Sequence, residues 1–294
     1  MAVEFHLFQP QMRLSLDALV ERARGAETAG FAGVWGMDHL MPPLANDHPM
    51  FEAMTTTMLL ATRTERVAVG NLVLCDAFRH PAMLAREAVT IDHASAGRFE
   101  LGIGSGSVPD EIVTFGIGPD DAKARVRRLA ETLSVVRALW TGEPLDFDGE
   151  FFHIDGGRQL PVPTREIPIV IGGTGPRTME LVAEHATWWN VPVHQLDRLD
   201  ALRDRAGSAR VSTQQLVAFI PDEDARAEIT ATAQKRFGSF GSGPVIGNGS
   251  EIVDVYAALA DRGVERFYVW FTDFAPPDTL AAFGAEVIAQ LASP

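Results

Sequence analysis

Short apolar runs alternate with amphipathic stretches from one end of the chain to the other. The pattern predicts buried strands at 3–8, 33–37, 67–74, 99–103, 169–171, 188–191, 215–218 and 267–271. Between them, apolar residues recur at helical spacing over 16–29, 50–63, 81–95, 122–140, 177–185, 196–206, 222–237 and 250–262, and a last helix is expected over 278–291. Strand–helix alternation of this kind builds a parallel sheet. Eight strands is the number that closes a barrel whose inward side chains fill its interior, so a (β/α)8 TIM barrel is expected, as a single domain over residues 1–294. An open doubly wound sheet would place a glycine-rich turn after the first strand and an acidic residue about 20 positions later. Here the glycines follow the fourth and fifth strands instead.

Two stretches interrupt the pattern. Leu145–Gly157 alternates apolar and polar residues around Asp148-Gly149, which predicts a small hairpin inserted between the fourth helix and the fifth strand. Phe237–Ser250 is rich in glycine and serine and is read as a loop or lid, or as a plain flexible connection.

Composition narrows the class. The 294 residues are 46% hydrophobic and 22% charged, ordinary for a globular chain, with no apolar run of membrane-spanning length. The opening MAVEFHLFQPQM has no basic region followed by an apolar run, so export is not expected, and one cysteine, Cys75, fits a reducing cytoplasm. A net charge of −14 argues against nucleic-acid or anionic-membrane partners. With only two lysines, Lys123 and Lys235, an anionic ligand must be held by arginines, backbone amides and helix N-termini.

Reactive groups of a (β/α)8 barrel sit at the C-terminal ends of its strands, which directs attention to three blocks. Trp35-Gly36-Met37-Asp38-His39 ends the second strand; an imidazole there can move protons near neutral pH, with Asp38 setting its tautomer. Taken alone, the block reads more simply: Asp38 caps the next segment and His39 packs. Gly102–Ser107 leaves the fourth strand, where glycines at 104 and 106, with Ser105 and Ser107, let backbone N–H groups approach a phosphate or a flat ring, although tight turns look the same. Gly172-Gly173-Thr174-Gly175-Pro176-Arg177 follows the fifth strand and opens a helix, an arrangement suited to phosphate, with Arg177 adding a charge-assisted contact. It lacks the Gly-Lys-Ser/Thr ending of a nucleotide triphosphatase loop. The remaining histidines show no metal-ligand spacing, so no metal site is expected. Asp92, Asp110 and Glu111 read as helix caps or solvent-facing acids, and Cys75 as a small buried filler.

In order along the chain, these pieces resemble the luciferase-like monooxygenase family, and more narrowly its coenzyme F420-binding branch. The matching landmarks are Gly30-Phe31, Val34-Trp35 and Asp38-His39-Leu40, then Val69–Cys75 leading into Phe78-Arg79-His80-Pro81, then Ser95–Gly106, Ile169–Arg177, Trp189-Asn190 and Gly249–Val264. The resemblance implies a tricyclic cofactor in the barrel mouth, its phosphate on the loops 104–107 and 172–177, and a non-prolyl cis peptide at Leu72-Val73 in a bulge of the third strand, against the ring face. It implies His39 as proton donor or acceptor during hydride transfer, and a homodimer. Two positions depart from the family pattern: Ser107 stands where the sugar-phosphate-oxidising relatives carry a catalytic carboxylate, and Trp188 stands where glycine is usual. The expected activity is hydride exchange between coenzyme F420 and a small organic substrate. The alternatives are a monooxygenase using reduced FMN and oxygen, and a cofactor-binding barrel without turnover.

Overall fold

The computed structural model describes residues 3–42, 48–238, 241 and 243–291. Its strands in chain order are β1 (Glu4–Phe8), β2 (Gly33–Gly36), β3 (Ala68–Asn71), β4 (Leu74–Cys75), β5 (Phe99–Gly104), β6 (Leu145–Asp148), β7 (His153–Gly157), β8 (Ile169–Gly172), β9 (Trp188–Val191), β10 (Arg210–Phe219), β11 (Val245–Gly247) and β12 (Arg266–Phe271). Parallel pairing runs β10-β12-β1-β2-β3-β5-β8-β9, and β9 returns to β10 through Arg210 opposite Trp188 and Thr213 opposite Val191. The ring of eight is therefore closed. β6 and β7 form the expected hairpin.

The helices begin where the sequence supplies caps. Ser15 accepts from the Ala18 amide at the start of α1 (Leu16–Thr28). Glu52 accepts from Met54 and Thr55 and so starts α2 (Ala53–Arg63) three residues later than the apolar pattern suggests. Prolines open α3 (Pro81–Ala94), α4 (Pro109–Phe115) and, after α5 (Ala122–Trp140), α6 (Pro176–His185). The helix expected over 196–206 is instead a four-residue α7 (Leu199–Leu202) between 3-10 turns. α8 (Arg226–Phe237) and α9 (Gly249–Asp261) follow, the latter opened by a capping box between Asn248 and Glu251. The stretch 237–250 is thus not wholly a loop, because Val245–Gly247 pairs with the upper end of β10; residues 239, 240 and 242 within it lie outside the described residues.

Strand alternation divides the core in two. Val34 and its outward neighbours pack under the helices, whereas Trp35 faces inward with Phe8, Val170, Trp188, Tyr268 and Trp270. Trp35 fits because glycines flank it: a Cβ at Gly33 or Gly70 would lie 2.9 or 2.8 Å from its ring. Its indole donates to His6 Nδ1 at 2.7 Å, leaving His6 Nε2–H for Glu4. Burial and then the Arg266 charge push the His6 imidazole down to about 4, so it stays neutral. At the barrel floor Arg266 pairs with Glu100 (2.6 Å) and Glu4 (2.8 Å). The Arg266 and Arg210 guanidinium carbons stand 3.8 and 4.0 Å from the Trp188 ring centre. Trp188 therefore fills the floor and leaves the mouth open.

A methyl group at Gly102 would lie 1.9 Å from the Asn71 carbonyl oxygen, a backbone atom that cannot swing aside. Gly102→Ala is expected to cost about 3 kcal/mol or more, as overpacking does. Gly172→Ala, whose Cβ would meet nothing nearer than 3.8 Å, should change thermal unfolding little. Equal melting temperatures for the two variants would contradict this packing.

Candidate active site

At the C-terminal ends of the strands lies an open cavity of about 290 Å³. Its floor is the third strand. Gly70 pairs with Glu100 and Leu74 with Ile103, so this strand carries one residue more than its neighbour, and the surplus forms a bulge. The Leu72-Val73 peptide in that bulge is cis, and both residues line the cavity.

Two glycine loops face the bulge. A Cβ at Gly104 would come within 2.9 Å of Val73 Cγ2, and one at Gly106 (φ +89) within 3.0 Å of Cys75 Sγ, so only glycine lets this loop close on the third strand. The amides of Gly106 and Ser107 meet no protein acceptor among the described residues. They are the exposed donors a phosphate would need. Behind the loop, buried Arg125 donates to the carbonyls of Ser105 and Asp120 and brings one positive charge close. On the opposite side Gly172 and Gly173 line the cavity, and the Trp189 indole holds the Gly173 carbonyl at 2.8 Å. Thr174, Gly175 and Arg177 are not among the lining residues. Thr174 Oγ1 donates to Gln195 and accepts from Arg198 at 3.0 Å, Gly175 caps α6, and Arg177, expected to reach a phosphate, pairs with Glu180. The cations that donate to this loop are Arg198, on Thr174, and Arg205, on the Pro176 carbonyl, neither of which sequence reasoning singled out.

His39 and Asp38 both line the cavity, with different partners. Asp38 is buried and accepts two bonds from the Arg79 guanidinium, at 2.5 and 3.1 Å, and one from the Cys75 amide at 2.8 Å. The Asp38 contacts hold Arg79 firmly protonated against burial, with Glu52 adding its charge. Asp38 thus anchors the second-strand exit to the third. It does not set the tautomer of His39. That role falls to Glu111, read from sequence as a cap or a solvent-facing acid, which is buried on α4. Its Oε2 lies 2.8 Å from His39 Nδ1, and its Oε1 accepts the amides of Leu40 (2.7 Å) and Met41 (2.8 Å). A carboxylate so occupied can only accept, so His39 carries its proton on Nδ1 and keeps the Nε2 lone pair free. Asp92 is corrected likewise: it is buried and accepts from the Thr164 amide and hydroxyl. The available signal for Glu111 was its place in the first turn after a glycine loop at a strand end. Arg125 and Arg128 were marked by their positions on the apolar face of α5.

The convex bulge, the two glycine-rich loops and the unpaired amides suit a flat ring with a phosphate tail. The luciferase-like monooxygenase family model matches residues 3–235, and the chain belongs to that family. It is 30% identical over 225 residues to an F420-dependent hydroxymycolic acid dehydrogenase of Mycobacterium tuberculosis, covering 72% of this chain and 61% of the relative. It is 31% identical over 219 residues to an F420-dependent glucose-6-phosphate dehydrogenase of Microbacterium testaceum, covering 70% and 65%. The chain thus spans less than two thirds of either curated relative. A solved F420-dependent secondary alcohol dehydrogenase, in complex with an F420-acetone adduct, superposes over the full length of both chains with a TM-score of 0.82 at 18% identity, which supports the fold.

Two expected outcomes follow from this geometry. Burial, then the charges of Asp38, Asp76 and Glu111, push the Cys75 thiol up to about 11. A thiol-specific chromogenic reagent at pH 8 should therefore label the folded protein more than about 100-fold slower than the unfolded chain; equal rates would refute the placement. Asp38→Asn leaves the buried end of Arg79 without its carboxylate and only the half-exposed Glu52 close by, and should cost about 3 kcal/mol in chemical denaturation. A variant as stable as the parent would show that the pair anchors nothing.

Proposed function

We propose that the protein is an oxidoreductase that exchanges a hydride between coenzyme F420 and a small organic substrate in the barrel mouth. The observation that carries this reading is the cavity itself: the Leu72-Val73 bulge faces glycine-rich loops, beside two unpaired amides and one oriented imidazole. The names of both curated relatives support the coenzyme. The coenzyme, when bound, supplies the redox chemistry; the protein supplies position and proton handling. The bulge and the Gly104–Ser107 loop hold the ring and phosphate, and His39 Nε2 accepts a substrate hydroxyl proton or returns it. Glu111 fixes the ring orientation and carries the complementary charge when the imidazole is protonated. Ser107 takes no part in proton transfer. The carboxylate that contacts His39 in this chain is Glu111. The reading includes a homodimer, as the family resemblance implies, and a reducing cytoplasm, which the single cysteine fits.

Fluorescence titration with coenzyme F420 and with FMN tests the cofactor. Saturable binding of F420 is expected, and binding of FMN alone would make the monooxygenase reading the correct one. His39→Ala should bind coenzyme nearly as well as the parent yet slow hydride transfer by about 100-fold or more. Unchanged turnover would remove His39 from the mechanism.

A further inference from the structure

We infer that the substrate is an uncharged, largely apolar alcohol or its carbonyl partner, and not a phosphorylated sugar; this rests on the reading of the cavity as the coenzyme's site. The first support is an apolar wall that begins at Leu72 on the cavity lining and continues over the barrel-interior cluster beside it. Leu72 lines the cavity and also packs, with Met50 and Phe237, on the barrel-interior cluster that holds Trp270. The Phe237 ring meets Trp270 edge-on at 5.5 Å, and Leu72, Met50 and Phe237 all keep part of their surface open to solvent. On the second-strand side of the mouth, Leu40 and Phe51 are 42% and 39% exposed. Large apolar side chains left in water around the mouth of a chain with net charge −14 mark a surface that gains by being covered.

The second support is charge. No lysine or arginine lines the cavity among the described residues, and residues 1–2, 43–47, 239–240, 242 and 292–294 contain none. The arginines packed behind the lining are committed: Arg79 to Asp38 and Glu52, Arg125 to two carbonyls, Arg198 to Thr174. Arg13, Lys235 and Arg236 are exposed to solvent. A phosphate dianion on the substrate side would leave water to meet Asp38 and Glu111 with no lysine or arginine on the cavity lining to offset the loss. A hydroxyl or carbonyl group needs only the His39 imidazole, while its hydrocarbon part covers Leu72, Met50 and Phe237.

The test is a series of secondary alcohols from butan-2-ol to octan-2-ol, with glucose 6-phosphate alongside, titrated into the protein with and without coenzyme F420 and followed by tryptophan fluorescence. Dissociation constants should fall roughly threefold per added methylene, with glucose 6-phosphate giving no saturable signal at millimolar concentration. Phe237→Ala should flatten the series, weakening octan-2-ol about tenfold and butan-2-ol hardly at all. A flat series in the parent protein, an unchanged slope in the variant, or tighter binding of the sugar phosphate would each overturn the inference. Coenzyme fluorescence read in the same samples separates the two claims. A coenzyme that binds with a flat series sinks the apolar substrate alone; a sloped series without coenzyme binding sinks the proposed function and leaves the wall standing.

Discussion

One buried carboxylate holds the site together. Glu111 takes the His39 imidazole and the two following amides at once, and so ties the second-strand exit to a short helix that follows the fifth strand in chain order. Each of these donors would be costly to leave unpaired in a half-buried mouth. The loop geometry, the histidine tautomer and the wall of the cavity are therefore set by the same group. Arg79 does the equivalent work one layer down, joining Asp38 to Glu52, while Arg128 holds the Asp76 side chain and the Asp76 and Arg79 carbonyls from α5.

The proposed function asks an acidic chain to bind an anionic cofactor, which meets an obvious electrostatic obstacle. Here the obstacle is avoided by arrangement. Both acids on the lining are occupied by donors, and the surface offered to a phosphate is backbone: glycine amides, backed by the buried Arg125. Fixed dipoles of this kind attract an anion without requiring a side chain to be ordered around it.

The eight strands, the hairpin and most helices were legible in the sequence, because periodicity and caps are local signals. Val34 and Trp35 show how little is needed: adjacent residues, opposite faces, two different cores. The third-strand bulge was not legible from periodicity; it came from resemblance, and the register between Gly70 and Leu74 accounts for it. Glu111 escaped because its partner is 72 positions away and its helix is only seven residues long. Asp38 lines the cavity, but the sequence suggested the neighbouring histidine as its partner, when the charge that binds it lies 41 residues on. Trp188 was visible only as a residue standing where glycine is usual, because sequence does not say which end of a strand's inward stripe a side chain fills; Arg210 and Arg266 stack on it at the floor.

The central claim is that the Leu72-Val73 bulge and the Gly104–Ser107 loop receive one flat, phosphate-bearing ring. A crystal structure of the protein soaked with coenzyme F420 tests it most directly. The tricyclic ring should lie against the bulge, with the phosphate within hydrogen-bonding distance of the Gly106 and Ser107 amides. Ring density elsewhere on the barrel, or a phosphate held by side chains away from both glycine loops, would contradict the account.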